Sequence, residues 1–247
     1  MKVLASFLIC VSTLCAQGVD EVLTEGDALD EKNRNSEALS VYLKADAQEP
    51  NDARVLRRVS KQYSQLMLDA KSAGEKRQLG EKALDAAQRA VIANPNESQS
   101  HLALAVAYGR IALDQPARRK VETSRLVRQE AETAARLDPK NDYAWHVLGR
   151  WNYELANFNP ILKALARAIY GNLPDASNEK AVECFNKAIA LQPRRASHHL
   201  ELGRAYLALG DKQKARDAFN EGLSLPSAEK DDENNKQRAR ATLNQLQ

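Results

Sequence analysis

The sequence has few glycine, proline, aromatic and cysteine residues. Its 247 residues include 10 Gly, 8 Pro, 3 Cys and 2 Trp, and aromatic residues make up 5%. Because β-branched runs are also scarce while Ala, Leu, Glu, Lys, Arg and Gln dominate, the composition favours helices over sheets. The formal net charge of +3 is small for this length, so whole-chain electrostatics give no reason to expect nucleic acid or an anionic membrane as the ligand.

The common catalytic motifs are also missing from the sequence. There is no nucleophile elbow, zinc-protease helix or dinucleotide-binding fingerprint. Residues 74–82 resemble a phosphate loop faintly, but Glu81 stands where a glycine should precede Lys82, and no strand is predicted before them. We therefore expect a protein that is not an enzyme and that uses no cofactor and no metal.

One apolar run occurs at the N-terminus, over residues 3–15 after Lys2. It is shorter than the roughly 20 residues of a membrane-spanning helix. We predict a secretory signal over residues 1–16, cleaved before Gln17, rather than a retained anchor or a buried N-terminal helix. This predicts an exported protein, periplasmic or extracellular, with no stable membrane insertion after cleavage. The mature chain would keep Cys184 as its one cysteine and could form no internal disulfide.

A pattern of small and aromatic residues that ends in proline recurs along the chain, with intervals of 4, 3 and 5 residues. A fifth copy has its proline one residue early. The copies are Ala38-Tyr42-Ala45-Pro50, Ala83-Ala87-Ala90-Pro95, Val127-Ala131-Ala134-Pro139, Ala181-Phe185-Ala188-Pro193 and Ala215-Phe219-Gly222-Pro226. A second pattern precedes each copy, most clearly as Trp145-Leu148-Gly149 and His199-Leu202-Gly203-Tyr206. Intervals of three and four place these side chains on one helix face, and the proline ends the second helix of each pair.

This order of residues resembles the signature of the tetratricopeptide repeat, a helical hairpin of about 34 residues. The resemblance implies an all-α, right-handed solenoid of about five hairpins with inserted helical segments and a C-terminal capping helix. We expect a signal peptide at 1–16 and a single solenoid over 17–247. Its units are predicted at about 19–52, 53–97, 98–141, 142–195 and 196–229, with the capping helix at about 230–246.

The C-terminal half, from Trp145 to Leu246, resembles the regulator of microtubule dynamics family. Leu148-Gly149-Arg150-Trp151, an inserted helix over Ile161–Tyr170 and the Leu225-Pro226 tail carry the likeness. The resemblance implies an elongated helical adaptor, associated in animal members with microtubules. The predicted export signal departs from that picture, because an exported protein does not meet the cytoskeleton. A non-catalytic, exported protein- or peptide-binding scaffold is therefore favoured, and a cytoplasmic, microtubule-associated adaptor is the alternative.

In the tetratricopeptide fold the first helix of each hairpin lines a concave groove, and counting from the prolines predicts which side chains face it. The groove is expected to be basic, with aromatic and apolar surface. The predicted partner-binding residues are Arg57, Lys61, Arg110, Tyr143, His146, Arg150, Tyr153, Arg204 and Leu207. Arg150 and Arg204 hold the same position in adjacent units, so both could bind carboxylates of an acidic or C-terminal peptide segment.

Two other interpretations of these arginines stay open. They could pair with carboxylates such as Glu154 and Glu201 and simply be solvated. Alternatively, the groove could be filled by the chain's own C-terminal helix. The inserted helix, with Lys163 and Arg167 among apolar residues, could touch a membrane or a partner, but docking onto a neighbouring hairpin is favoured.

Overall fold

The computed structural model describes residues 18–171 and 175–246, and the predicted signal peptide lies outside them. Every regular element in these two ranges is helical. The helices are α1 (Val19–Asp30), α2 (Asn35–Gln48), α3 (Ala53–Leu66), α4 (Ala73–Ala93), α5 (Ser98–Ala112), α6 (Ala117–Leu137), α7 (Asp142–Ala156), α8 (Pro160–Tyr170), α9 (Asn178–Leu191), α10 (Ala196–Ala208), α11 (Lys212–Ser224) and α12 (Asp232–Gln245). The all-α prediction is confirmed.

The helices pack as five successive pairs: α1 with α2, α3 with α4, α5 with α6, α7 with α9 and α10 with α11. The first helices also contact one another, α3 with α5, α5 with α7 and α7 with α10, so they form the inner layer of the array. Helices α4 and α6 each have 21 residues, against 14 in α2. The extra residues of the second and third units therefore lengthen their second helices.

A glycine facing an aromatic ring holds several of the hairpins together. A Cβ on Gly149 would lie 2.6 Å from the ring of Phe185, and one on Gly203 would lie 2.6 Å from the ring of Phe219. Both rings are buried. The small residue of the repeat is thus needed because the second helix places its aromatic side chain where any larger side chain on the first helix would stand.

The motif position occupied by Trp145 also carries a repeated hydrogen bond. Trp145 Nε1 donates to the carbonyl of Pro139 at 2.9 Å. His101 Nε2 and His199 Nε2 donate in the same way to Pro95 and Pro193, at 2.9 and 2.8 Å. In these three units the ring therefore ties the first helix to the turn that precedes it.

The inserted helix α8 packs against the third hairpin, and both its prediction and its docking are confirmed. Asn159 caps its first turn by accepting from the Leu162 amide at 2.9 Å, and Gly171 ends it at φ 81°. The apolar face of α8, centred on Ala166, meets a core that includes Val121 of α6. None of the helices described is long and apolar enough to cross a membrane.

Helix α12 covers the last hairpin, as the predicted capping helix should. Ala239 is buried against Phe219, and Leu243 packs beside it. The Lys236 ammonium, also buried, donates to the carbonyl of Leu225 at 2.5 Å. The Asp232 carboxylate accepts the amides of residues 228 and 229 at 2.9 Å each, which fixes the chain where α12 begins.

Candidate functional site: the concave groove

The inner faces of α3, α5 and α7 enclose a cavity of about 550 Å³. Six of the nine residues that the repeat predicts for the groove line it: Arg57, Lys61, Arg110, Tyr143, His146 and Arg150. Tyr153, Arg204 and Leu207 are not among its lining residues. The counting from the prolines therefore located the groove on the first helices, and the last unit contributes less to its wall than expected.

At the N-terminal end, basic side chains of α3 pair with carboxylates of the first hairpin. Lys61 Nζ lies 2.8 Å from Asp30 Oδ2. Arg58 donates to both oxygens of Asp27 at 2.7 Å, and the Tyr42 hydroxyl donates to the same carboxylate at 2.6 Å. Burial acts to raise the pKa of Asp27, but these donors outweigh it and hold the pKa below its ordinary value. These contacts join α3 of the second hairpin to α1 of the first, so they fix the packing of the two hairpins.

Arg57, in the same helix, is less completely paired. Its Nε lies 3.4 Å from Glu97 Oε1 but makes no hydrogen bond within the described residues. Burial lowers the pKa of Arg57, and the neighbouring Arg58 adds to the effect. The Arg57 side chain is half-buried, and its buried Nε has a free donor, so Arg57 is suited to contact a ligand carboxylate or carbonyl.

In the middle of the groove, the basic side chains pair with residues from far along the chain. Residues 225–231, which we call the crossing segment, connect α11 to α12. Arg110 of α5 lies 2.6 Å from Asp231, and Arg195, just before α10, lies 3.1 Å from Glu229. Lys230 contacts Asp69 after α3 and lies 3.3 Å from Asn35 Oδ1 at the start of α2. The segment therefore reaches from the last hairpin to the first two.

Arg150 and Arg204 both lie near Glu201, one of the carboxylates with which the alternative interpretation pairs them. Arg150 Nε lies 3.9 Å from Glu201, and Arg204 donates to the same carboxylate at 2.7 Å. Arg204 also stacks on Tyr153, with its guanidinium carbon 4.5 Å from the ring centroid, and lies 3.5 Å from Glu154. Their role in binding stays a prediction, but a carboxylate ligand would have to compete with Glu201 for both.

The remaining predicted residues, Leu207, Tyr143 and His146, have identifiable packing partners. Leu207 packs against the core shared by α10, α11 and α12. Tyr143 lines the cavity beneath Arg195, whose guanidinium carbon lies 4.5 Å from its ring centroid. Burial raises the pKa of Tyr143, so its hydroxyl stays protonated. His146 is buried and does not present a free imidazole to solvent.

Sequence reasoning missed a buried hydrogen-bonded chain that begins at Asp142. The Asp142 carboxylate accepts from His198 Nε2 and from Arg195 Nε, each at 2.9 Å. Because His198 Nε2 carries a proton, its neutral ring accepts through Nδ1, and His146 Nδ1 donates to it at 2.9 Å. Burial lowers the pKa of both histidines, and the proximity of His198 lowers that of His146 further. Both rings are therefore neutral near pH 7.

Asp142 keeps its charge in this buried setting. Burial acts to raise the pKa of its carboxyl, but the hydrogen bond from His198 and the charge of Arg195 hold the pKa below its ordinary value. Arg195 thus has two carboxylate partners, Asp142 from the fourth unit and Glu229 from the crossing segment. Its position in the loop after Pro193, outside the helix positions that the repeat predicts, is the reason it was missed.

The cavity also presents buried polar atoms without a hydrogen-bond partner among the described residues. They include Ser60 Oγ, Gln65 Oε1 and Ser197 Oγ. No group of three or more metal-ligating side chains occurs within the ranges that the structure describes. The groove is thus equipped to hold a ligand by charge and hydrogen bonding.

The comparison with protein families agrees with this architecture over nearly the whole chain. Residues 22–247 match the model of the family described as regulator of microtubule dynamics protein 1-3. The match includes all five hairpins and the capping helix, and extends beyond the half in which the sequence alone showed the likeness.

Individual relatives share about a quarter of their residues with this chain. Regulator of microtubule dynamics protein 1 of Mus musculus is 27% identical over 80% of the chain and 65% of its own length. Protein 3 of Xenopus laevis is 26% identical over 71% of the chain and 38% of its own length. The chain thus spans less than two thirds of the length of either relative.

Among solved structures, a thermophilic TPR protein of Thermus thermophilus has the same fold. It aligns with a TM-score of 0.64 and 19% identity, over 92% of this chain and 99% of its own. At this identity the likeness concerns the fold alone. It confirms the tetratricopeptide-repeat solenoid that the spacing of the prolines and small residues predicts.

Proposed function

The chain belongs to the regulator of microtubule dynamics family, and from this membership and the geometry of the groove we propose that it is a non-catalytic scaffold that binds an acidic segment of a partner protein. One observation carries the proposal most directly. Arg57, Arg110 and Arg150, from three adjacent units, line a single cavity. Planar guanidinium groups on rigid helices are well suited to hold carboxylates bidentately.

The tetratricopeptide-like fold supports binding rather than catalysis. Helical hairpins account for most of the described chain, and the polar groups of the groove are spread along three inner helices. The buried chain from Asp142 to His146 has the hydrogen-bonding order of a relay, but its histidines are held neutral by burial and engaged with each other. We assign these histidines a role in joining the fourth and fifth hairpins.

A second candidate function, association with microtubules, is favoured by the names of the relatives. They are called regulators of microtubule dynamics and come from animals. This origin fits the cytoplasmic, cytoskeletal alternative better than export. We therefore favour a cytoplasmic location over export for this chain, and we keep the microtubule adaptor as the form of the scaffold that this location allows. Intact mass of the native protein separates the two: a chain that begins at Gln17 supports export, and one that keeps Met1 supports the adaptor.

Co-sedimentation with purified, stabilised microtubules tests the adaptor function and the role of the groove together. The parent chain should pellet with the polymer, and Arg57→Gln/Arg150→Gln should reduce the bound fraction at least fivefold. Arg118→Gln/Arg125→Gln is the matched control, because it removes the same charge from exposed positions of α6 outside the cavity. Equal binding by all three proteins would place the contact outside the groove.

If the parent does not pellet, the microtubule function is rejected, and the same three proteins serve as baits for affinity capture from native extract. A partner held by the parent and the control but lost by Arg57→Gln/Arg150→Gln supports the acidic-partner scaffold. Equal recovery by all three would contradict it. Circular dichroism must first show that the variants keep the helical content of the parent.

A further inference from the structure

The crossing segment occupies the groove in the way an acidic ligand would. Between α11 and α12 it contains no helix or strand, and its side chains contact elements far away in sequence. Glu229 and Asp231 both line the cavity and face Arg195 and Arg110. The two carboxylates are separated by a single residue, and the two arginines come from different units of the solenoid.

We infer that residues 225–231 are an internal ligand of the groove, and that its natural partner carries an acidic segment with carboxylates at positions i and i+2. This inference rests on the proposed binding role of the groove and adds the ligand chemistry and its regulation. The partner's carboxylates take the places of Glu229 and Asp231 on Arg195 and Arg110. The crossing segment must leave before the partner binds, so it lowers the apparent affinity of the resting protein.

Incomplete pairing at the segment's contact site supports an exchangeable contact. Asp231 Oδ1 and Asp232 Oδ1 are buried and lack a hydrogen-bond partner among the described residues. Across the cavity, Ser60 Oγ and Ser197 Oγ are also buried without a hydrogen-bond partner among the described residues. Each buried polar atom without a partner disfavours the closed arrangement. Release of the segment exposes Asp231 Oδ1 to water, and an acceptor on an external segment can take the Ser60 hydroxyl, so exchange relieves both unpaired groups.

The pairing of Arg110 supports the same conclusion. Within residues 18–171 and 175–246, Asp231 is the carboxylate that pairs with Arg110, and the two side chains are 19% and 24% exposed. Arg58 differs, because it pairs with Asp27, which a second donor, Tyr42, also holds. Removing the crossing segment would leave Arg110 without an acceptor inside the cavity. A ligand carboxylate is the natural replacement.

The covalent connection to α12 makes the internal ligand effective although its ion pairs with Arg110 and Arg195 are individually weak. Helix α12 is packed on α10 and α11, so the segment is held beside the groove at a high local concentration. Lys230 contacts Asp69 and Asn35 at the opposite end of the groove. The segment therefore spans the groove from the last hairpin to the first two. Weak individual ion pairs therefore suffice to keep the site occupied.

The test is a titration of the full chain with a fluorescent peptide copied from residues 225–235. Four proteins are compared: the parent, Glu229→Gln/Asp231→Asn, the control Asp217→Asn/Glu221→Gln, and Glu229→Gln/Asp231→Asn combined with Arg110→Gln. The control removes the same charge from exposed positions of α11. We expect Glu229→Gln/Asp231→Asn to bind the peptide at least tenfold more tightly than the parent and the control. Adding Arg110→Gln should weaken that binding at least tenfold.

Three results would overturn the inference. Equal affinity for the parent and for Glu229→Gln/Asp231→Asn would show that the segment does not compete for the groove. No binding by Glu229→Gln/Asp231→Asn would show that the segment is not a ligand. Unchanged binding after Arg110→Gln would place the peptide elsewhere. Arg110→Gln is used without Arg195→Gln because Arg195 also holds Asp142, and its loss could disturb folding.

The failure of this inference can be distinguished from the failure of the proposed function. If the peptide behaves as expected but Glu229→Gln/Asp231→Asn captures no protein partner from native extract, the internal ligand stands and the scaffold role fails. If a partner binds all the proteins equally while the peptide does not bind, the scaffold role stands and the internal ligand fails.

Discussion

The interiors of the hairpins and the concave groove are constructed differently. Inside the hairpins one contact repeats, a glycine against an aromatic ring, as in Gly149 with Phe185 and Gly203 with Phe219. In the groove the ion pairs of the inner helices change partners from unit to unit. Arg58 pairs with the first hairpin, and Arg110 pairs with the crossing segment.

This difference separates stability from recognition. The repeated apolar contacts are local and fully buried, so they supply most of the free energy of folding. The ion pairs between the groove and the crossing segment are partly exposed and join distant parts of the chain, so they add little to stability and can be exchanged for contacts with a partner. Mutations in the two regions should therefore have effects of different size and kind.

The largest effect is expected in a hairpin core. Phe185→Ala removes a fully buried ring and leaves a cavity against Gly149, which should cost about 3–5 kcal/mol of unfolding free energy. Ile92→Ala is the comparison, because Ile92 is 80% exposed and should change stability by less than about 0.5 kcal/mol. Denaturant titration of both variants measures the difference. Similar values would contradict the assignment of the core.

A smaller effect is expected when the repeated glycine is enlarged. Gly149→Ala places a methyl group where the ring of Phe185 already lies, and overpacking of this kind costs about 1–3 kcal/mol. Gly109→Ala, also within a helix, meets no atom within 4 Å and should stabilise the protein by about 0.5–1 kcal/mol. Thermal melts that shift in the same direction for both would show that the close approach does not limit position 149.

The hairpin repeat and the inserted helix could be predicted from the sequence because their signals are local. Small and aromatic residues at fixed intervals, prolines at the hairpin ends, and the Pro160-to-Gly171 boundaries of α8 all act within one unit. The same spacing located six of the nine predicted groove residues on the cavity wall.

The ionic partners of the groove could not be predicted, because they depend on contacts between units. Arg195 lies in a loop and reaches Asp142, 53 residues away, while Arg110 meets a residue of the crossing segment. The polar tail predicts a final helix, and one alternative interpretation of the sequence has this C-terminal helix filling the groove. In the structure the crossing segment lies beside the cavity, together with the first turn of α12.

The buried histidines His146 and His198 lie between the hairpin cores and the groove. They predict that the free energy of unfolding depends on pH. Burial lowers the pKa of both rings from an ordinary value of 6.5, so the unfolded chain binds protons first as the pH falls. Stability is therefore present above pH 6.5 and lost below it, by up to about 1.4 kcal/mol per pH unit for each histidine.

Urea unfolding between pH 7.5 and 5.5 should show this slope in the parent and a shallower slope in His146→Gln. Burial raises the pKa of Glu229, so this carboxyl favours the folded state as the pH falls, opposite to the histidines. Both proteins contain Glu229, so it does not affect the difference between their slopes. Identical slopes would show that His146 does not titrate with unfolding.

The smallest effect on stability is expected for the groove contact itself. Asp231→Asn removes one partly exposed ion pair and should lower the unfolding free energy by no more than about 1 kcal/mol. Asp27→Asn should cost more, about 1–3 kcal/mol, because it disrupts a carboxylate shared by Arg58 and Tyr42. Denaturant titration that gave the reverse order would contradict the distinction between exchangeable and structural ion pairs.

Hydrogen exchange of residues 225–235 is the most direct test of the claim that the groove holds an acidic segment. In the parent the amides of Ala228 and Glu229, which donate to the Asp232 carboxylate, should be protected. In Arg110→Gln these two amides should exchange at least tenfold faster, while α10 and α11 keep their rates. Rapid exchange in the parent, equal to that of an unstructured peptide, would contradict the account, because the segment would then not be held on the arginines of the groove.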